Sequence, residues 1–299
     1  MLAAIIVALL YALLFYQPPH GGLWLQVFLN SLHVPVFGLI ALSVFLLWHP
    51  ERPWVRRAIT ALVAACALGL LSEIAQSVTA RDASLTDLIA DCLGAAGTLA
   101  ITVAVFPGSR LSPSRRAVFS VGGIVLLTSA LAPLAAVSAA YVERNAQFPV
   151  IFDADSRYGR KLVRAQHVRY DLVDSSSGSE THARITLLDA PWPGIALHDL
   201  SPDWSEFSEL VVDIGVEGDT ALTISLRVHD AGHNQMHADR YNRTFNLDPG
   251  RRELRIPIDA LRIAPQGREM DLTAVSELIL FGSESDAGRT FRLYEVRLE

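Results

Sequence analysis

Residues 69–97 read Gly69-Leu70-Leu71-Ser72-Glu73-Ile74-Ala75-Gln76-Ser77-Val78-Thr79-Ala80-Arg81-Asp82-Ala83-Ser84-Leu85-Thr86-Asp87-Leu88-Ile89-Ala90-Asp91-Cys92-Leu93-Gly94-Ala95-Ala96-Gly97. Two apolar runs, Val55–Val78 and Leu85–Phe106, meet at this polar turn, and each is long enough to cross the ~30 Å hydrocarbon core of a bilayer as a helix. Four of the five acids in residues 1–141 fall here: Glu73, Asp82, Asp87 and Asp91. On a helix, Glu73 and Gln76 share one face, and Asp87, Asp91 and Gly94, spaced by four and three, share another. The turn lets these faces look inward at each other. At a rise of about 1.5 Å per residue, Glu73 and Asp91 lie on the order of 9 Å below the membrane surface. An ionised carboxylate at that depth costs several kcal/mol unless it is paired, hydrated or protonated. Arg81, in the turn, is the cation that could reach Glu73 or Asp87.

Working outward, Leu2–Tyr16, Leu23–Trp48 and Ala117–Ala136 complete an expected bundle of about five transmembrane helices, with His33 on the second span. Leu2–Tyr16 is short, but no basic segment precedes it and Gln17-Pro18-Pro19-His20 is a poor cleavage site, so it is kept as a span. Arg52, Arg56 and Arg57 follow the second span, and Arg110, Arg115 and Arg116 follow the fourth. Six of the seven arginines of this half therefore lie on one side, which the positive-inside rule makes cytoplasmic. The amino terminus is then expected inside, and everything after the fifth span outside, as in a plasma or inner membrane protein.

The order Glu-x-x-Gln, a short turn with Arg, Ser-x-x-Asp, then Gly-x-x-Gly resembles the VanZ-like family of small membrane proteins. Gly69, Glu73, Gln76, Arg81, Ser84, Asp87, Gly94 and Gly97 carry the resemblance, which extends over residues 23–106. Asn30, His33, Phe37 and Gly38 resemble the family's His-containing helix. Two departures stand out: Leu29-Asn30 replaces a frequent Asp-Lys pair, and Asp91 stands where Asn is usual. The resemblance implies a cell-envelope role, the founding member being associated with glycopeptide resistance, and implies no defined reaction.

Past Tyr141 the chain changes character. Residues 1–141 hold seven Arg, no Lys and five acids; residues 142–299 hold 18 basic and 26 acidic residues, a net charge of −8 within the −6 of the whole. This division, 1–141 and 142–299, excludes a purely cytosolic enzyme and a disordered chain, and the acidic half argues against nucleic acid as a partner. The only cysteines, Cys66 and Cys92, lie in spans, so no disulfide framework holds the second half. Its alternating runs (Leu210–Ile214, Leu222–Val228, Glu253–Ile258, Leu278–Phe281, Phe291–Leu298) suggest about eight strands of an all-β sandwich, with Asp248-Pro249-Gly250 as a turn. Val142-Glu143-Arg144-Asn145 reads as the linker. The run Arg227–Asp230, Asp239–Phe245, Pro249-Gly250 and Ile256–Ile258 resembles jelly-roll carbohydrate-binding modules of the galactose-binding-like kind.

Sugar recognition needs aromatic faces flanked by planar polar groups. Candidates are Trp192, Trp204 and Tyr241 for stacking, with Asp230, Asn234, Asp239, Arg240 and Asn242 for hydroxyls. His229, His233 and His237 are spaced by four, but Gly232 and the polar loop argue against the helix that would align them on a metal, so no metal or cofactor is expected. A structural calcium could sit among the acids, though no Asp-rich loop specifies one. No Gly-rich phosphate loop, Gly-x-Ser-x-Gly elbow or Cys-x-x-Cys pair names a reaction. Three functions compete: an envelope protein whose outer sandwich recognises a glycan or glycolipid; a membrane enzyme using Glu73 and Asp87 as acid and base on a lipid-linked sugar or phosphate; and an anchored protein-interaction module.

Overall fold

The computed structural model describes residues 22–77, 84–156, 159–174, 180–200 and 203–299. They form two compact units that divide between Ala136 and Val137. The expected first span, Leu2–Tyr16, lies outside the described residues.

The first unit is helical: α1 (Leu23–Ser31), α2 (His33–Leu47), α3 (Trp54–Ser77), α4 (Leu85–Val105) and the part of α5 (Pro113–Gln147) that precedes Val137. Among the described residues four stretches are long and apolar enough to cross a membrane: Leu23–Leu47, Trp54–Ala75, Leu85–Val105 and Pro113–Gln147. The first carries a break at Leu32, where Pro35 has no N–H to donate to the Ser31 carbonyl. α2 and α4 pack at glycine contacts. A Cβ on Gly94 would fall 2.4 Å from the Val34 carbonyl oxygen, and one on Gly38 would fall 2.4 Å from Thr98 Oγ1. Gly97 approaches Gly123 of α5 in the same way, its would-be Cβ 3.0 Å from that carbonyl. Phe37, Ala41, Phe45, Ala61, Ala65 and Leu99 fill the centre, while Val63, Leu71, Ile89 and Val121 point outward and exposed, as lipid-facing positions require. Arg57 is buried: its Nε donates to the Phe45 carbonyl at 2.8 Å, satisfying the end of α2, and its guanidinium lies over the Phe45 and Phe106 rings. α5 also corrects the linker expectation, because Val142-Glu143-Arg144-Asn145 is helical. The alanine-rich run before it favours helix, and no breaker intervenes between Pro133 and Pro149.

The second unit contains two antiparallel sheets. Its strands are β1 (Val150–Asp153), β2 (Val163–Gln166), β3 (Val168–Val173), β4 (His182–Leu187), β5 (Gly194–His198), β6 (Glu209–Val216), β7 (Leu222–Asp230), β8 (Tyr241–Leu247), β9 (Gly250–Pro257), β10 (Val275–Phe281) and β11 (Thr290–Leu298). The first sheet runs β3-β4-β11-β6-β9, with β1 also on β11; the second runs β2-β5-β10-β7-β8. Alternation does what it should. Leu222, Ile224, Leu226 and Val228 are fully buried in the shared core, each contributing roughly 1.5–3 kcal/mol, and Thr223, Ser225 and Arg227 face out. Asp248-Pro249 carries the chain from β8 in one sheet to β9 in the other, with Gly250 at φ +101°. Ion pairs cover the first sheet: Arg184 and Arg292 share Glu217, Arg251 meets Asp213 and Glu180, and Arg255 and Arg297 share Glu253 and Glu299.

Candidate functional site

Each unit holds one polar site. In the helical unit, His33 Nδ1 lies 2.8 Å from Asp91 Oδ1, and both side chains are essentially inaccessible. Gly69 makes room for the pair, since a Cβ there would fall 2.7 Å from Asp91 Oδ2. Glu73 Oε2 accepts the Ser84 backbone N–H at 2.6 Å, and the Ser84 hydroxyl accepts the Asp87 N–H at 3.3 Å as the N-cap of α4. The expected Ser-x-x-Asp spacing is thus a capping arrangement, and Glu73 ties the turn to α3. Among the described residues, His33 Nε2, Asp91 Oδ2 and Glu73 Oε1 are buried without hydrogen-bond partners. Asp87, also buried, lines an open cleft of about 380 Å³ with Asn30, Ser31 and Ser84. Arg81 and the side chain of Gln76 lie outside the described residues.

In the β unit, strand register builds a cleft of about 520 Å³ on the outer face of the second sheet. One cross-strand row is Gln166, Gly194, Phe281, Ser225 and Thr244; the next is Ala196, Ile279, Arg227 and Asn242. Gly194 cannot be larger, because a Cβ would fall 2.6 Å from that of Phe281. Over this row stands Trp192, 68% exposed and edge-on to Phe281 at 5.9 Å between ring centroids. Its backbone is held at φ +54°, a conformation costing roughly 1–2 kcal/mol for an L residue. Arg240 and His237 close the other side, and the Asn242 amide donates to His237 Nε2 at 3.1 Å.

A histidine cluster borders the cleft. Arg227 Nη2 donates to His233 Nε2 at 3.2 Å, so His233 carries its proton on Nδ1 and gives it to the Asp239 carbonyl at 2.8 Å. His229 packs on His233 with ring centroids 4.6 Å apart. Burial, and then the neighbouring Arg227 charge, push the His229 imidazole down to about 4. Among the described residues no three His, Cys, Asp or Glu side chains converge as a metal site.

The expected sugar-contacting residues divide three ways. Trp192, Arg240 and Asn242 line the cleft. Asp230, Asn234 and Asp239 belong to a clasp beside it: Arg268 reaches Asp230 at 2.5 and 2.8 Å and Asp239 at 2.5 Å, while Asp230 accepts the Asp271 N–H and Asp239 that of Asn234. Those carboxylates are committed to the fold. Trp204 and Tyr241 are core residues, Trp204 wholly inaccessible and Tyr241 facing inward beside Val228, so neither offers a ring face to a ligand. Sequence reasoning missed Gln166, Ser225, Arg227, Thr244 and Phe281. Their outward parity was readable, but their assembly depends on long-range register.

No protein-family model matches the sequence, and no curated protein matches it. Solved structures do match half of the chain, and the β unit resembles carbohydrate-binding and glycoside-hydrolase folds. One is the family 11 carbohydrate-binding module from Clostridium thermocellum in complex with a β-1,3-1,4-mixed-linked tetrasaccharide, at 13% identity and a TM-score of 0.40, covering 50% of this chain and 93% of that one. An exo-β-agarase matches at 16% identity and 0.40, covering 50% and 24%. An endo-1,4-β-D-xylanase 10B of Clostridium thermocellum, complexed with xylohexaose, matches at 11% identity and 0.35, covering 50% and 28%. The chain therefore joins a set of apolar membrane-length helices to a unit of two antiparallel β-sheets.

Proposed function

We propose that this is a VanZ-like membrane protein of the bacterial cell envelope, with its amino terminus cytoplasmic and a jelly-roll sandwich outside. The sandwich binds a glycan or glycolipid in the Trp192 cleft. The observation that carries this reading is Trp192 itself: a large aromatic held in a left-handed backbone conformation, mostly exposed, and braced edge-on by Phe281 above a row of polar side chains. An exposed Trp fixed by local strain is unfavourable for the fold alone, and its open face suits the C–H surface of a pyranose ring. Arginine placement in the loops supports the orientation.

The test uses the full-length protein in lipid nanodiscs on an array of cell-wall and exopolysaccharide fragments. Binding should be present in the wild type and lost in Trp192→Ala. Absence of binding from a folded protein, or equal binding by both, would remove the glycan reading. A carboxyl-terminal reporter active only in the cytoplasm would remove the orientation.

A second reading, acid–base chemistry on a lipid-linked sugar or phosphate, is favoured by a specific feature of the helical unit. His33 Nε2, Asp91 Oδ2 and Glu73 Oε1 are buried without partners among the described residues, beside the Asp87 carboxylate at the cleft. Unpaired polar groups at membrane depth are costly, and substrate could satisfy them. Glu73→Gln and Asp87→Asn should each abolish the cellular phenotype while expression persists. A phenotype that survives both substitutions sinks the enzymatic reading.

A further inference from the structure

The charge of the cleft narrows the ligand class. Eight arginines of the β unit have a carboxylate partner: Arg184, Arg251, Arg252, Arg255, Arg262, Arg268, Arg292 and Arg297. Arg227 and Arg240, which face the cleft, have none among the described residues, and the Nε atom of each is buried without a hydrogen-bond partner. Arg252 and Arg262 also have an unbonded Nε, but each keeps an acid within 3.6 Å. Glu277 attracts Arg227 from beyond ion-pair distance and makes its close contact with His198, at 2.9 Å. No described Asp or Glu lines the cleft, although residues 142–299 hold 26 acids.

Partly desolvating two guanidiniums that have no carboxylate in ion-pair contact is costly. Burial holds both arginines below their ordinary basicity, and in Arg227 the Arg240 charge adds to it. The guanidinium's planar fork matches carboxylate, sulfate and phosphate oxygens alike.

We infer that the cleft takes an acidic saccharide, its ring on Trp192 and its anionic substituent between Arg227 and Arg240. This rests on the glycan reading above and specifies its ligand class. Gln166, Ser225, Asn242 and Thr244 then meet neutral hydroxyls along the same face. Because the contact is an ion pair in a solvent-accessible cleft, the affinity falls with added salt.

The experiment uses the full-length protein in nanodiscs and isothermal titration with paired probes. These are oligogalacturonate and its methyl ester, oligomannuronate and its methyl ester, and a sulfated oligogalactan and its desulfated form. Sodium sulfate serves as the free-anion arm. At least one acidic member should bind about ten-fold or more tightly than its neutral partner, the worth of one charge-assisted hydrogen bond. Arg227→Gln and Arg240→Gln should each erase that preference, Arg227→Lys should retain part of it, and unfolding midpoints should stay unchanged or rise. If neutral and acidic partners bind equally and both Gln variants behave as wild type, the acidic-ligand inference is overturned and glycan binding stands. If no saccharide binds while the β unit is folded, or sulfate alone binds as well as any saccharide, both readings fall.

Discussion

Replacing Arg268 with Met isolates the clasp beside the cleft. The guanidinium supplies two N–H bonds to Asp230, at 2.5 and 2.8 Å, and one to Asp239 at 2.5 Å. Asp230 is 1% exposed, so after the substitution its charge keeps a single described donor, the Asp271 N–H at 2.7 Å. Removing one partner of a buried pair costs about 3–5 kcal/mol. Arg268 is itself 31% exposed, and solvent screening brings the expected loss to roughly 2–3 kcal/mol. That is about 30- to 150-fold in a local opening equilibrium. Amide exchange read by mass spectrometry on the full-length protein should therefore accelerate by that factor in peptides covering residues 231–240 and 269–274, and little elsewhere. Adding Asp230→Asn should recover part of the protection by removing the stranded charge. The acid limb has a defined sign. Hydrogen bonds from Arg268, then from the Asn234 N–H, hold the Asp239 carboxyl down to about 2. At Asp230 burial alone would raise the carboxyl, but Arg268 and the Asp271 N–H outweigh it and leave it below the ordinary range. A carboxyl depressed in the folded state stabilises above its unfolded value near 4 and loses that contribution as pH falls toward 2. Exchange in Arg268→Met within three-fold of wild type at pH 7, or no recovery in the double variant, would refute the clasp as a stabilising element.

Four further outcomes are expected. Gly94→Ala drives a methyl into the Val34 backbone and should lower the thermal midpoint of the detergent-solubilised protein by the equivalent of about 1–3 kcal/mol, whereas Gly122→Ala, with nothing within 4 Å, should be neutral or stabilising. His33→Leu and Asp91→Leu should each destabilise by about 3–5 kcal/mol in the same assay, while the double variant recovers much of the loss because no buried polar group is stranded. His229 is held neutral in the fold, so the unfolded chain binds its proton first; stability should decline as pH falls from about 6.5 to 4, by on the order of 1 kcal/mol after solvent screening, and His229→Gln should flatten that slope in urea titrations. Trp192→Gly releases the left-handed strain and should leave the unfolding midpoint unchanged or raised while abolishing saccharide binding; a lowered midpoint would assign Trp192 to the fold.

Much of the architecture was legible because its signals are local. Apolar runs of membrane length need only composition, and Leu222, Ile224, Leu226 and Val228 declare a buried face by alternation. The close approaches at Gly94 and Gly97 follow from the same logic, since a glycine three residues from another marks a helix face without side chains. The site was legible only in part, for a reason visible in Tyr241 and Asn242. Both are residue types suited to sugars, yet adjacent strand positions face opposite ways, and pairing with Val228 puts Tyr241 in the core and Asn242 outside with Arg227. Trp204 shows the same limit, since side-chain chemistry does not distinguish a stacking platform from a core plug. Asp230 and Asp239 looked available because Arg268, which consumes them, lies 38 and 29 residues away.

The partner each charge finds is therefore more informative than the charge itself. Across the first sheet, arginines and glutamates bind one another in shared pairs, and Arg268 does the same for two aspartates at the edge of the second. Such pairs neutralise their members and leave nothing for a ligand. At the cleft the pattern stops: Arg227 turns to a neutral imidazole, and the Asn242 amide to another. Because His233 must accept from Arg227, its remaining proton is spent on the Asp239 carbonyl, so the imidazole cannot supply the missing negative charge. The deficit is thus built into the hydrogen-bond order of the site. An anion arriving from solution meets two donors already stripped of water on one side, which lowers the desolvation that binding would otherwise require.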